Sequence, residues 1–213
     1  MDHARTFARL AALANKSGVE IRFKDQSRLM EVLAKVLFFR PEFLTETVTA
    51  WGYALYFPSR DWLAQHPEES WRGLAHGLVH VSDMRRWTVP VYALSYLFPQ
   101  CLAPLALGAL RHPWMAVFSL ALLPWPAPFR KHWEMRACAM TMATELWQDK
   151  ESSLDTLAER FVGRHYYWCW PFREQAGSGL SYWLSVAKAK RLGLSLPHTS
   201  DVKFSIRIES VLR

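Results

Sequence analysis

Apolar residues recur at helical spacing over residues 2–15 (Phe7, Leu10, Leu13), and Asn15-Lys-Ser-Gly18 reads as the stop. Val19 to Phe23 alternate as a short strand. Ser27 to Phe39 return to a helical period through Leu29, Val32, Leu33, Val36 and Leu37, and Pro41 ends it. Thr45 to Phe57 is β-branched and aromatic, which predicts a strand bent or bulged at Gly52. Pro58, Ser59 and Asp61 mark a turn. Pro67 then opens a proline-free run to Pro90, with Glu68 and Glu69 beside the positive end of the helix it predicts.

The pattern changes from Trp87 to Arg130, where Arg111 is the one charged residue in between. Pro90, Pro99 and Pro104 break the first limb, Trp87 to Leu110, and Pro124, Pro126 and Pro128 end the second, His112 to Phe129. A spanning helix needs about 20 apolar residues in regular helix, so neither limb is a clean membrane span. The expectation is an apolar helical hairpin, residues 87–129, with Arg111-His112 at its tip. Its surroundings stay open among a bilayer, partner subunits and ordinary core. A helix follows from Arg130 to Glu145, a polar connection from Asp149 to Ser153, and a short helix from Leu154 to Val162. Beyond them come a packed aromatic stretch at His165 to Arg173, a loop at Gln175 to Gly179, a basic helix at Tyr182 to Leu192 and a final strand at Val202 to Ile208.

Composition sharpens this picture in two ways. A chain of 213 residues builds a single domain with elaborations, but 51% hydrophobic residues and eleven tryptophans leave apolar surface to hide. The charge is +7 and its carriers are scattered, which permits loose contact with nucleic acid or anionic lipid and specifies neither. Cys101, Cys138 and Cys169 match no Cys-x-x-Cys spacing, so a reducing compartment is expected, and the N-terminal stretch has no apolar segment of a secretory signal.

Candidate chemistry lies in the proline-free run. His76 and His80 stand four residues apart, hence on one face of a helix, where two imidazoles can aim at one metal ion. In a chain with eight histidines such a pair also arises by chance. On the following helix Glu134 is placed either to supply a third, anionic ligand or to pair with Arg130 or Lys131. Asp83, three residues past His80, either orients an imidazole from behind or pairs with Arg86. Glu145 lies on much the same face as Glu134, three turns on.

Four pieces together resemble the bacteriophage-encoded gluzincin-like metallopeptidases, in which a His-Glu-x-x-His helix precedes a helix carrying a glutamate ligand. They are the polar strand running into Tyr-Phe-Pro-Ser (45–59), His76-Gly-Leu-Val-His80-Val, Leu-Ser-Tyr-Leu-Phe-Pro-Gln (94–100), and Pro-Trp-Pro-Ala-Pro-Phe-Arg with Trp133-Glu134-Met-Arg-Ala. The resemblance covers roughly residues 45–145. It implies a mainly helical α+β, zincin-like (minigluzincin) domain with a small antiparallel sheet, and Zn(2+) held by His76, His80 and Glu134. It also implies a general-base glutamate where this chain has Gly77.

A general base contributes typically about 10²–10⁴-fold to rate, so the expectation is severely reduced peptidase activity unless Glu145, Glu69 or Asp83 substitutes. Two functions compete. One is a zinc-binding pseudoenzyme serving as a structural or interaction component of a virion or tail, in contact with its own copies or other phage proteins. The other is an active, membrane-associated zinc peptidase with a displaced base. The expected partners are protein subunits, then membrane through 87–129, with non-specific nucleic-acid contact not favoured. The expected setting is the host cytoplasm, the virion or the periphery of the inner membrane.

Overall fold

In the computed structural model, which describes residues 2–38, 40–123 and 125–191, the alternation along β3 (Ala54–Phe57) sets the layers. Leu55 and Phe57 point into a core with Leu10, Leu74 and Leu78, whereas Ala54 and Tyr56 meet Met30 and Phe43 on the other side. All four β3 residues are therefore buried. β1 (Glu20–Phe23) pairs parallel to β3 and β2 (Thr49–Trp51) antiparallel, in the order β1-β3-β2. The sheet is thus mixed, not antiparallel. The path from β1 to β3 passes through α2 (Arg28–Val36), which gives the chain room for a parallel return. The stretch predicted as one bent strand is a hairpin. Gly52 adopts φ +58°, a conformation costly for other residues, and the chain reverses there instead of bulging.

α4 (Pro67–Trp87) is the middle layer. It carries Pro67 and two glutamates in its first turn, Arg85 and Arg86 in its last, and it is bounded by His66 and Thr88. Gly73 and Gly77, one turn apart, face the sheet. A Cβ at Gly73 would stand 2.8 Å from Val48 Cγ2, and one at Gly77 only 2.6 Å from Leu55 Cδ2. Glycine in a helix interior costs about 1 kcal/mol relative to alanine. Close seating of the fully buried Leu55 is worth about 1.5–3 kcal/mol, so packing wins. α1 (His3–Lys16), capped by Asp2, packs against both α4 and the sheet and adds Leu10 and Ala14 to the same core, and the buried Trp71 donates its Nε1–H to His3 Nδ1 at 3.1 Å.

Thr88 sits at φ +67°, rare for a β-branched residue, and the chain turns there into α5 (Val89–Leu97). α5 lies against both α4 and α6 (Pro128–Trp147). Between them two 3₁₀ limbs, Gln100–Leu110 and Pro113–Leu122, pack on each other with Arg111 and His112 at the turn. Among the described residues no single helix is long and apolar enough to cross a membrane; α5 and the first limb would be so together, but they meet at 81°.

α7 (Leu154–Val162) and α8 (Arg173–Arg191) enclose a second core with the outer face of α6, around Met142, Phe161, Cys169 and Leu180. The loop predicted at Gln175–Gly179 lies inside α8. Ala176 and Leu180, one turn apart, are both fully buried, and that anchoring overrides the glycines at 177 and 179. In the aromatic stretch, Tyr166 packs on Phe161 at 4.9 Å and meets Cys138 Sγ at 3.4 Å. The strand predicted at Val202–Ile208 falls outside the described residues.

Candidate metal centre

α6 runs antiparallel to α4, and polar pairs mark the seam. Arg72 Nη1 binds Glu145 Oε1 at 3.0 Å, His76 reaches Thr141, His80 faces Glu134, and Asp83 takes two bonds from Arg136 at 2.9 and 3.3 Å. The middle of this seam is the cluster. His80 Nε2 lies 3.3 Å from His76 Nε2, His76 Nε2 lies 3.5 Å from Glu134 Oε2, and His80 Nε2 lies 3.7 Å from Glu134 Oε1. Among the described residues this is the one group of three or more such side chains that could hold a metal ion. Side-chain exposure is 23% for His76, 10% for His80 and 4% for Glu134, so the cluster meets solvent mainly past His76.

The surrounding hydrogen bonds decide which ring nitrogens face inward. Thr141 gives its hydroxyl proton to Ala137 O at 3.4 Å, which leaves a lone pair to accept from His76 Nδ1–H at 3.2 Å. His76 Nε2 is then a bare lone pair. Tyr92 Oη meets His80 Nδ1 at 2.8 Å and holds the orientation of that ring. Tyr96 donates its hydroxyl to Glu134 Oε1. Burial, and next the Glu134 carboxylate, push both phenols well above their ordinary pKa and keep their protons on.

Glu134 is buried, which by itself favours its neutral form. The two imidazoles outweigh burial and hold it well below the usual carboxylate range. Burial pushes the His76 imidazole below its ordinary value, the larger effect against the pull of Glu134. The Glu134 carboxyl group therefore faces both imidazole Nε2 atoms in a nearly closed space. Glu134 Oε2 has no hydrogen-bond partner there. A buried carboxylate oxygen without a donor is costly, and a cation between it and the two Nε2 atoms removes the cost.

His76, His80 and Glu134 are thus brought together. Asp83 and Glu145 are not in the metal-capable group: Asp83 is buried on Arg136, and Glu145 accepts from Arg72 and from Ser152 Oγ. Glu69 is exposed in the first turn of α4. Sequence reasoning missed Tyr92, Tyr96 and Thr141. Tyr92 and Tyr96 share the i,i+4 spacing of the histidines, and Thr141 is seven residues past Glu134, so each lay on a readable helix face. Fold and cluster together define a mainly helical α+β protein with a three-residue metal-capable centre on two antiparallel helices. The chain matches no protein-family model, no curated protein and no solved structure.

Proposed function

We propose that this is a zinc-binding, zincin-like protein of the phage gluzincin-like type that has no hydrolytic role. The metal fastens α4 to α6, and the protein works as a structural or interaction component of a phage assembly. The observation that carries the reading is the cluster itself. Zinc bonds of about 2.0–2.1 Å meeting at tetrahedral angles place ligand atoms roughly 3.3–3.5 Å apart. The two Nε2 atoms stand 3.3 Å apart as such ligands do, each has one oxygen of Glu134 beside it, Oε2 at 3.5 Å from His76 and Oε1 at 3.7 Å from His80, and two imidazoles with one carboxylate suit zinc.

Against hydrolysis stands the space at residue 77. Leu55 fills the ground that any side chain there would occupy. A displaced base is not favoured either, since Glu145 and Asp83 are held by arginines along the seam. Zinc would supply here a Lewis-acid centre and a cross-link. Tyr92, Tyr96 and Thr141 hold its ligands in orientation, which is what a structural site needs.

Elemental analysis of the purified protein should show close to one zinc per chain, lost in His80→Ala. Unfolded casein should survive incubation with the zinc-loaded protein. A folded, metal-free protein that refuses added zinc overturns the metal reading; chelator-sensitive casein hydrolysis overturns the non-hydrolytic one.

A further inference from the structure

In a 3₁₀ limb, side chains three residues apart lie in line, so each limb has three rows. One row of each faces the other limb: Gly108 sits on Met115, and Ala121 is buried. Another row of each is turned outward and is apolar throughout. It comprises Leu107 and Leu110, 73% and 95% exposed, on the first limb, and Trp114, Val117, Leu120 and Leu123 on the second and its end. α5 adds its own outer side with Val91, Leu94 and Leu97. At the edge of this outward row, Val117 and Leu120 also border an open apolar trough of about 520 Å³ that they share with Leu102 and Trp125.

Charge says what covers these surfaces. From residue 84 to residue 133 the chain has no aspartate or glutamate; of its basic residues Arg130 is buried on Tyr96 O and Gln100 and Arg85 is held by Ser17 O, which leaves Arg111 as the charge that the hairpin itself exposes. Arg111 is exposed at the very tip of an otherwise uncharged hairpin. Buried in a partner's apolar groove, that guanidinium would need a carboxylate to meet it. At a bilayer surface the phosphates meet it, while lipid chains cover both outward rows at once. Each limb, at about 2.0 Å rise per residue, is roughly 20 Å long, shorter than the ~30 Å hydrocarbon core. A perpendicular plunge would leave Arg111 inside the hydrocarbon, so the hairpin lies along the interface.

We propose that the 98–126 hairpin and the outer side of α5 form a monotopic lipid-binding surface, seated in the interfacial layer of a bilayer with anionic headgroups. The inference rests on the reading of the protein as an interaction component and names its partner; it does not require zinc.

The test is flotation of the full-length protein with phosphatidylcholine vesicles, with and without phosphatidylglycerol. Wild type should float with the vesicles, more strongly when phosphatidylglycerol is present. A Leu107→Glu/Leu110→Glu/Trp114→Glu variant should lose at least about tenfold in binding while keeping its zinc content and unfolding midpoint, because these side chains are exposed. Lipids with brominated chains should quench tryptophan fluorescence, and Trp114→Phe should remove part of the quenched signal. Failure to float with either vesicle, or binding that ignores the glutamates, overturns the proposal. So does vesicle-independent self-association that the glutamates dissolve, which would assign the surface to a second copy. A zinc-free or proteolytic preparation that still floats counts against the proposed function and leaves the lipid surface standing.

Discussion

The seam between α4 and α6 and the hairpin between α5 and α6 come from neighbouring stretches of one chain and obey opposite rules. In the seam, polar groups are buried and have specific partners: Thr141 for His76, Tyr92 for His80, Tyr96 for Glu134, Arg136 for Asp83. In the hairpin, apolar groups are exposed and the limbs mainly touch each other. The border between the two regimes runs through the segment 87–129, at the end of α5. Tyr92 and Tyr96 belong to the seam, whereas everything from Phe98 to Pro126 can leave without removing a residue that touches the cluster. An apolar composition therefore does not define a structural unit; the inward face of α5 makes it part of the metal centre.

The sharpest way to break this contrast is a pair of deletions. Replacing residues 92–122 by a Gly-Ser linker removes both tyrosines, and zinc binding together with a single cooperative melt should be lost. Replacing only 100–122 removes, besides bonds within the hairpin, the side-chain bond between Arg130 and Gln100 and should preserve both, since loop length itself costs little. Zinc titration and calorimetry of the two proteins distinguish these outcomes. Equal damage from both deletions would mean that the limbs are core.

Next in size is removal of the metal. A ligand present at roughly 1,000 times its dissociation constant stabilises by about 4 kcal/mol. Chelation should then lower the melting temperature by roughly 10 °C for a chain of this length, and His80→Ala should melt at the chelated value whether or not zinc is added. The hairpin glutamates described above should leave this difference unchanged.

Gly77→Glu tests the packed side of α4. The new side chain must displace the buried Leu55 and bring a carboxylate with it, which should cost about 3 kcal/mol or more in denaturant unfolding. No casein hydrolysis should appear. Recovery of hydrolysis at undiminished stability would show that the space beside Leu55 can open.

The smallest expected effect belongs to Tyr96→Phe, which frees Glu134 Oε1 without touching a ligand. Zinc affinity should fall about 10- to 100-fold while the fold persists. The absorption spectrum of the cobalt-substituted variant should change as the carboxylate loses its fixed orientation, a change that a purely packing role for the phenol would not produce.

Much of this was legible along the chain. Periodicity placed the helices at 3–16, 67–87 and 154–162 and the strand at 20–23 within a few residues, because those patterns depend on neighbours three and four apart, or two apart in a strand. The histidine pair was legible for the same local reason, whereas Glu134 entered beside it through the resemblance. The parallel pairing of β1 with β3 was not, since it joins residues 34 apart through a crossover. Nor was the need for glycine at 77, which lies in the seating of α4 on Leu55. The ligands' supports were out of reach too: Thr141 is 65 residues from His76, and Tyr96 is 38 from Glu134. Local spacing decides which face of a helix a residue shares, but only the packing of helices decides what that face meets. So the sequence by itself put the two histidines on one helix face and Glu134 on a later helix, and the tertiary structure decided that the three converge as a group that could hold a metal ion, that Tyr92, Tyr96 and Thr141 bond to them, and that Leu55 fills the space beside residue 77.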